Sequence, residues 1–458
     1  MKYFASILGL VLLTCIAQAQ TLTVHEWGTF TSLHGSKGGT LSGLYFEEEQ
    51  LPSFVYHFPG FSPDPAIATN GYVNCKDVTI KMETPVLYFY SKVERPVQVH
   101  IDFPMGAISQ WYPNRSGGEA MPTGSTVDFD KPERIGSIDW KAKVLSPFAN
   151  DTLTQNQNIP VKWYSPRQTS SNLVKNDQGE IEKYLFYRGL ANFRMPFALW
   201  FNADGTLSVM NTSKSDIPFI YIYDHPTSSA VGLWGIGPLA SYETRTFSKP
   251  ENYASFIGDS NFNKFEIALE AAGLNQLEAQ ALLNTWSDGY FLSEGFKVFW
   301  IVPRKMTDEI LPLSISPQPD VLERVLVGKS EILTPEFEQT LLTYYKANGN
   351  LDQWKSDRYH LAYMQRVQEL LVTEAVKNNG SAGEISIAPN PASTTIHILG
   401  ISKTASVTIR NILGETVMNS QGNPVNISDL DIHNFPSGIY FATISNSGHL
   451  QTFKFVKR

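Results

Sequence analysis

A histidine and a carboxylate near the start of the chain have the residue types of an acid–base site. His25 and Glu26 lie in a segment of alternating apolar residues that is predicted to be a strand. Side chains alternate along a strand, so Glu26 shares a face with Leu22 and Val24 and is predicted to point toward the core. A buried carboxylate must be paired or protonated, which makes it a candidate functional group. The alternatives are a structural ion pair and a bulge at Gly28.

A second candidate is an aromatic segment, residues 286–295, that contains Asp288 and Glu294. Two carboxyl groups about 5–5.5 Å apart serve retaining glycosidases, and a separation of about 6.5–9.5 Å serves inverting ones. One hypothesis is therefore an extracellular hydrolase that uses these two carboxylates together with His25 and Glu26. The alternative is ordinary turn chemistry, because Asp-Gly and Glu-Gly pairs are common in turns.

Three more charged residues stand in or beside apolar runs. Arg188 and Arg304 are the cations, and Glu83 precedes a predicted strand. Buried charges are normally paired, and the guanidinium of arginine suits a bidentate clamp on a carboxylate. We predict that one of these arginines pairs with Glu83 or Glu26. The default interpretation is a structural ion-pair network, and a substrate site that binds a carboxylate is the alternative.

The spacing of the histidine, cysteine and acidic residues does not identify a metal site. His100 and Asp102 share the polar face of a predicted strand, residues 97–103, and could form half a metal site. No second histidine pair adjoins them in the sequence, so a solvated strand face is the default interpretation. The zinc-protease, serine-hydrolase and Cys-x-x-Cys motifs do not occur. The sequence therefore assigns no metal and no cofactor, and both stay unknown.

The elements that must position these residues are mostly strands. Hydrophobic residues make up 42% of the 458-residue chain, which excludes a disordered protein. Runs of β-branched and aromatic residues recur up to about residue 320. We predict a mainly β body, built as a multi-stranded β-sandwich, with helices at about 262–286 and 335–377. The net charge of −8 argues against a nucleic-acid partner.

The first residues have the pattern of an export signal. Lys2 precedes an apolar stretch, and Ala17-Gln18-Ala19 is a small-x-small cleavage site, so residues 1–19 are predicted to be a signal peptide. A lipoprotein signal at Cys15 is the alternative. The apolar stretch is too short to span a bilayer, and no later apolar run approaches 18 residues. We therefore predict no transmembrane segment in the mature chain.

The last part of the chain has a different pattern. After the body, residues 20–378, a polar linker at 379–384 leads into short alternating runs separated by turns at 385–458. This pattern predicts a small, immunoglobulin-like β-sandwich as a separate domain.

Four segments of this tail resemble the type A C-terminal sorting domain of type IX secretion. They are residues 388–392 (APNPA), 409–415 (IRNILGE), 435–440 (FPSGIY) and 454–458 (KFVKR), with the motif residues Pro389, Asn390, Pro391, Gly414, Gly438, Tyr440 and Lys457. The family commonly has leucine where Phe435 stands. The resemblance implies passage through the periplasm, recognition by an outer-membrane secretion translocon, and release or display at the cell surface. An ordinary β-sandwich binding module is the alternative.

The body resembles a family of secreted bacterial proteins without an assigned activity. The similar segments are residues 25–31 (HEWGTFT), 82–88 (METPVLY), 186–189 (FYRG) and 301–304 (IVPR). The resemblance implies no known reaction, but these segments contain Glu26, Glu83, Arg188 and Arg304.

We therefore expect exported cargo of unknown body activity, with ligand or glycan binding as the first hypothesis. The extracellular hydrolase is the alternative. Convergence of the candidate carboxylates with Arg188 in one aromatic cleft would favour the enzyme, whereas scattered or internally paired carboxylates would favour the binding protein.

Overall fold

The structure is a computed structural model. It describes residues 21–44, 52–57, 75–76, 78–119, 127–128, 136–155, 159, 161–227, 230–250, 261–379, 385–392, 395–401, 405–412, 414–420, 429–446 and 449–457. The predicted signal peptide, residues 1–19, lies outside these residues, as do residues 380–384 of the predicted linker. The chain forms two compact units, residues 1–366 and 367–458.

The first unit is built mainly of strands. They are β1 (Leu22–His34), β2 (Tyr56–His57), β3 (Cys75–Lys76), β4 (Ile80–Met82), β5 (Val86–Ser91), β6 (Arg95–Phe103), β7 (Gly106–Tyr112), β8 (Val127–Asp128), β9 (Gly136–Val144), β10 (Val174–Asn176), β11 (Ile181–Glu182), β12 (Leu185–Ala191), β13 (Phe197–Phe201), β14 (Leu207–Asn211), β15 (Ile217–Thr227), β16 (Ala230–Leu239), β17 (Thr244–Phe247), β18 (Gly295–Ile301), β19 (Leu313–Ser316) and β20 (Val321–Ile332).

Helices are fewer and cluster late in the chain. They are α1 (Val161–Tyr164), α2 (Asn261–Ala271), α3 (Gln276–Thr285), α4 (Arg304–Ile310), α5 (Pro335–Asn348) and α6 (His360–Asn379), with 3-10 turns at Ser165–Arg167 and Asp352–Trp354 and a π-helical turn at Ser287–Leu292. The division between the two units falls within α6.

A ten-stranded sheet forms the centre of the first unit. Its strand order is β16-β15-β18-β20-β1-β4-β12-β7-β2, and β5 pairs with both β1 and β12. The long strand β1 is parallel to β20 and antiparallel to β4 and β5. Its side chains alternate between the two faces of the sheet. Trp27 joins a core that includes residues of α2 and α3, whereas Phe30 packs on Phe193 and Trp300.

Two smaller sheets cover the face of the large sheet that carries Phe30. Trp140 of the sheet β11-β10-β9-β6-β19 packs on Tyr187, with ring centroids 6.4 Å apart. Phe197 of the sheet β13-β14-β17 packs edge-to-face on Trp300, with centroids 5.1 Å apart. The body is therefore layered, with α2 and α3 on one face of the large sheet and the two smaller sheets on the other.

Local signals account for the helix boundaries. The side chain of Asn275 accepts a hydrogen bond from the Glu278 N–H, and Glu278 accepts one from the Asn275 N–H, so a capping box begins α3. Thr334 caps α5, and Gly349, with φ +72°, ends it. The stretch predicted as helical at 335–377 is thus two helices, α5 and α6, joined by a connection with one 3-10 turn. The predicted aromatic loop at 286–295 contains a π-helical turn.

After the end of α6, the second unit forms two sheets around their own core. Its strands are β21 (Ser386–Ala388), β22 (Thr395–Leu399), β23 (Ser406–Asn411), β24 (Thr416–Asn419), β25 (Asp429–Asp431), β26 (Gly438–Asn446) and β27 (His449–Lys457). They form the sheets β21-β22-β25 and β24-β23-β26-β27. Ile396 and Ile398 from the first sheet and Val407 and Ile409 from the second share one buried cluster. The prediction of a mainly β fold with a small C-terminal sandwich is confirmed.

Candidate functional site

Glu26 lies in the buried centre of the first unit, as its strand position predicts. Its carboxylate accepts hydrogen bonds from the Tyr187 hydroxyl at 2.7 Å and from Arg324 Nε at 2.6 Å. Arg324 also donates to Asp308 at 2.8 Å, and Arg304 Nε lies 2.9 Å from the same carboxylate. The partner of Glu26 is therefore Arg324, which the sequence analysis did not select. Arg304 is exposed, and within the part of the chain that the structure describes its link to this network is through Asp308.

The geometry of this network is that of a buried ion pair. The side chains of Glu26 and Arg324 are at most 1% exposed, and the two residues lie side by side on β1 and β20. Burial, with the neighbouring charge of Glu26, raises the pKa of the Tyr187 hydroxyl well above its usual range. The Glu26 carboxylate thus accepts hydrogen bonds from two buried donors, the Tyr187 hydroxyl and the Arg324 guanidinium.

Glu83 forms a second buried ion pair. Its carboxylate lies 2.5 Å from Arg358 Nη2, and Arg188 Nε donates to its backbone carbonyl oxygen. Burial opposes ionisation, but the charges of Arg358, Arg188 and Lys81 together lower the pKa of Glu83 to about 2. Arg188, predicted to pair with Glu83 or Glu26, thus contacts the backbone of Glu83, and Arg358 supplies the close contact to the carboxylate.

His25 faces the opposite side of the large sheet from Glu26. Its Nδ1 lies 2.8 Å from Glu278 Oε2, and the Tyr90 hydroxyl donates to Glu278 Oε1 at 2.6 Å. Because Glu278 also caps α3, the contact of His25 joins β1 to the start of that helix.

The candidate carboxylates Glu26 and Glu294 lie apart from each other in the described part of the chain. Glu294 is exposed, and within the described part of the chain no hydrogen bond or ion pair joins it to His25 or Glu26. Asp288 belongs to the π-helical turn, but its side chain lies outside the description. Of the candidate carboxylates whose side chains the structure describes, Glu26 and Glu294 form no pair that the hydrolase hypothesis requires.

His100 and Asp102 lie on β6, and together with Asp139 they form a cluster of contacting side chains at the surface. His100 Nδ1 lies 2.6 Å from Asp139 and its Nε2 lies 3.1 Å from Asp102. The hydrogen bond to Asp139, followed by the nearby acidic charges, raises the pKa of His100. Among the described residues, no group of three or more histidine, cysteine or acidic side chains is placed to hold a metal ion.

Arg188 also lines a narrow cleft between β5, β12, α1 and the end of α3. The cleft has an empty volume of about 310 Å³, which includes its open mouth. Trp163 and Phe186 form one wall, with ring centroids 4.8 Å apart, and Trp286 stacks on Tyr290 at 4.3 Å. We call this space the aromatic cleft.

Two cations and two unsatisfied polar atoms belong to the lining of the aromatic cleft. Lys162 Nζ lies 5.4 Å from the centre of the Trp286 ring, and Arg188 Cζ lies 5.8 Å from that of Phe186. Thr84 Oγ1 and Trp286 Nε1 are buried and have no hydrogen-bond partner among the described residues. Buried polar groups are nearly always satisfied, so these two atoms mark a place where a ligand could supply acceptors.

Of the residues that line the cleft, Arg188 is indicated by the sequence pattern, whereas Lys162 and Trp163 are not. The only local signal for them was a lysine between apolar and aromatic residues in residues 161–164. The cleft itself arises from four separate parts of the chain, so no short motif describes it.

The motif residues of the second unit gather at one end of its larger sheet. Gly438 pairs with Lys457, and Asn411, which begins the turn of Gly414, pairs with Tyr440. The Tyr440 hydroxyl donates to the Pro436 carbonyl oxygen at 2.7 Å. We call this region the motif end.

Asn390, between Pro389 and Pro391, links the loop after β21 to the last strand, β27, through side-chain hydrogen bonds. Its side chain donates to the Lys454 carbonyl oxygen at 3.0 Å and accepts from the Val456 N–H at 2.9 Å. Ala392 pairs with Lys457 beside it, so segments that are far apart in the sequence meet at the motif end.

Comparison with known proteins gives one family. Residues 386–458 match the secretion system C-terminal sorting domain. No curated protein matches the chain. Among solved structures, the chain is similar to the yeast delta-COP-I mu-homology domain, alone and complexed with a Dsl1 WxWxV peptide. Each has 7% identity and a TM-score of 0.25 and covers 68% of this chain and 98% of that one. A TM-score this low carries no argument about the body.

The predicted sorting domain is therefore confirmed for residues 386–458, and the chain has the tail of type IX secretion cargo. Such a tail implies interaction with the secretion machinery and a surface or secreted location. Within the described residues, no helix is long and apolar enough to cross a membrane.

Proposed function

Because residues 386–458 are a secretion sorting domain, we propose that the chain enters the periplasm through a cleaved signal peptide, residues 1–19. An outer-membrane translocon then recognises the C-terminal domain, and the body is released or displayed at the cell surface. The match of the tail to the sorting family is the observation that carries this proposal.

The motif end is the surface that we assign to recognition. Asn390, Gly438 and Lys457 lie in different motifs, and the backbone contacts of the last strand bring them together. A receptor that reads one end of a small domain needs its contact residues on one surface, which this arrangement supplies.

Deletion of residues 380–458 tests the export step. We expect the body to accumulate in the periplasm, detected by cell fractionation and immunoblotting. Normal extracellular levels of the truncated chain would contradict the assignment.

A substitution in the full chain tests the motif end more finely. Asn390→Ala removes two hydrogen bonds to the last strand and should lower the secreted fraction. Leu450→Ala is the matched control, because Leu450 is 73% exposed and lies near the turn at the opposite end of β26 and β27. Equal secretion of the two variants would refute recognition at the motif end.

For the body, we infer ligand binding in the aromatic cleft. Aromatic walls, two cations and two unsatisfied polar atoms in a concave space are the usual composition of a small-molecule site. The predicted carboxylates give no support to the hydrolase, because Glu26 is fully buried in an ion pair and Glu294 is exposed elsewhere.

A glycan and small-molecule screen with the purified mature chain tests this inference. Trp286→Phe keeps an aromatic ring but removes the unsatisfied N–H donor, and it should weaken binding of any hit. Trp234→Phe is the control, because Trp234 Nε1 is also buried without a hydrogen-bond partner in the described chain but does not line the cleft. Hits with equal affinity for both variants would place the binding site elsewhere.

A further inference from the structure

The outer face of the larger sheet in the second unit has an aromatic side chain between two cations. Arg410 of β23 lies directly opposite Phe441 of β26, and Phe441 lies directly opposite Lys454 of β27. Residues directly opposite each other on neighbouring strands point to the same face, with their Cβ atoms about 4.5–5.5 Å apart. The adjacent pair, Ile409 and Ala442, is fully buried, so Arg410, Phe441 and Lys454 lie on the solvent side. We call these three residues the outer row.

The side chains of the outer row are accessible. Arg410 and Lys454 are exposed, and Phe441 keeps 37% of its surface exposed. In the part of the chain that the structure describes, neither cation has an ion pair or a side-chain hydrogen bond. A partner can therefore meet both charges without first breaking a contact within the protein.

Exposed apolar side chains extend the outer row into a patch. Ile412, two residues after Arg410, is 69% exposed. Val417 is also exposed and follows Thr416, the residue of β24 that pairs with Arg410. A single exposed apolar residue is ordinary, whereas several near one another mark a contact surface. Aromatic residues and arginine are enriched at protein interfaces, so this patch has the composition of a protein-binding surface.

The tail differs in charge from the rest of the chain. Residues 386–458 contain five lysines and arginines and three acidic residues, a net charge of +2. Since the whole chain has 36 and 44, the remaining residues have 31 and 41, a net charge of −10. Asp429 and Asp431 belong to β25 of the smaller sheet, and Glu415 lies in the turn between β23 and β24, where it binds Asn411. The outer row is therefore a positive part of a positive domain, which favours an acidic partner.

We propose that the outer row binds an acidic protein surface of the secretion machinery, with carboxylates that pair with Arg410 and Lys454 around an apolar pocket for Phe441. This inference rests on the proposed export function and specifies the chemistry of the partner. The outer row adjoins the motif end, because the Lys454 carbonyl oxygen accepts a hydrogen bond from Asn390. An anionic polysaccharide would also attract the cations, but its polar surface would not match the exposed apolar side chains beside them.

Substitution of both cations tests the charge of the partner. Arg410→Gln combined with Lys454→Gln removes two charge-assisted contacts and should lower the secreted fraction of the full chain at least about fivefold, measured by cell fractionation and immunoblotting. Lys264→Gln combined with Lys305→Gln is the matched control, because both lysines are exposed in the first unit and the net charge changes equally. Arg410→Lys combined with Lys454→Arg keeps both charges and should be secreted normally.

The apolar contact is tested separately. Phe441→Thr keeps a residue that favours strands but removes the ring, and it should lower the secreted fraction at least about threefold. Leu450→Thr is the matched control, because Leu450 is more exposed than Phe441 and lies in the same sheet near the turn at its opposite end. Equal secretion of these two variants would overturn the proposal.

Photocrosslinking in secreting cells tests the class of the partner. With p-benzoylphenylalanine in place of Phe441, we expect a crosslink to a protein segment that has more acidic than basic residues. Adding Arg410→Gln and Lys454→Gln should abolish this product, and the same label in place of Leu450 should not form it. A crosslink to a polysaccharide or a lipid, or a protein crosslink that does not need the two cations, would overturn the proposal.

The deletion of residues 380–458 separates this inference from the export function. If the deleted chain is retained but the double glutamine variant is secreted normally, export through the tail stands and the acidic partner is wrong. If the deleted chain is secreted normally, both proposals fail. Thermal unfolding of the purified variants shows whether the exposed substitutions alter the fold, and the crosslink decides if the double glutamine variant is unstable.

Discussion

The ion pair of Glu26 and Arg324 gives the sharpest test of whether Glu26 serves the fold or a reaction. Glu26→Gln keeps the side-chain volume and an acceptor for the Tyr187 hydroxyl, but it leaves the buried guanidinium of Arg324 without its buried counter-charge. Removing one partner of a buried pair costs about 3–5 kcal/mol. We expect about 3 kcal/mol, the lower end, because Arg324 keeps its contact with Asp308.

Two further variants make the test internally controlled. Asp308 is 46% exposed, so Asp308→Asn should cost less than about 1 kcal/mol. Glu26→Gln combined with Arg324→Met removes both buried charges and should regain stability, since well-packed apolar replacements of such pairs are often neutral. Urea unfolding of the mature chain, followed by tryptophan fluorescence, measures all three.

The result that would refute this reasoning is a Glu26→Gln variant with the unfolding midpoint of the unmodified chain. Unchanged stability together with lost activity in a substrate screen would indicate that Glu26 is a catalytic residue.

Two other predictions concern the first unit. Asn275→Ala should destabilise this unit by about 1–2 kcal/mol, because the capping box of α3 is lost. Asn284→Ala is the control and should change the stability little, because Asn284 is at an exposed position within α3. Equal destabilisation by the two substitutions in urea unfolding would contradict the role of the cap. The pKa of Glu83 is lowered from 4.5 to about 2, so its ion pairs stabilise the fold above pH 4.5, and about 3 kcal/mol should be lost as the pH falls from 4.5 toward 2. Glu83→Gln should remove that part of the pH dependence, and an unchanged acid unfolding curve in this variant would disprove the assignment.

Local patterns in the sequence account for much of the fold. Alternation along residues 22–30 places Glu26 in the core, the Asn275 and Glu278 pair marks the start of α3, and four ordered motifs identify the C-terminal domain. Each of these depends on residues close together in the chain, where periodicity and capping chemistry apply.

The pairing partners and the cleft could not be predicted in this way. Glu26 and Arg324 are 298 residues apart, and they meet because β1 and β20 are parallel neighbours, a choice that no local pattern encodes. The aromatic cleft likewise joins Thr84, Trp163, Arg188 and Trp286 from four parts of the chain. Arg188 could be identified from the sequence as a candidate site residue because a cation inside an apolar run is unusual. Trp163 had no feature in the sequence that distinguishes it from core tryptophans.

The C-terminal domain should fold without the body, since Ile396, Val407, Ile409 and their neighbours form a core of their own. A domain of this size has only about 3–5 kcal/mol of stability. Ile409 is fully buried, and Ile409→Ala should cost about 2–5 kcal/mol, enough to unfold an isolated fragment of residues 380–458. Ile412, 69% exposed, provides the control, and Ile412→Ala should leave the thermal transition in place. A fragment without a cooperative transition, or one that tolerates Ile409→Ala as well as Ile412→Ala, would show that the sorting domain depends on the body for its fold.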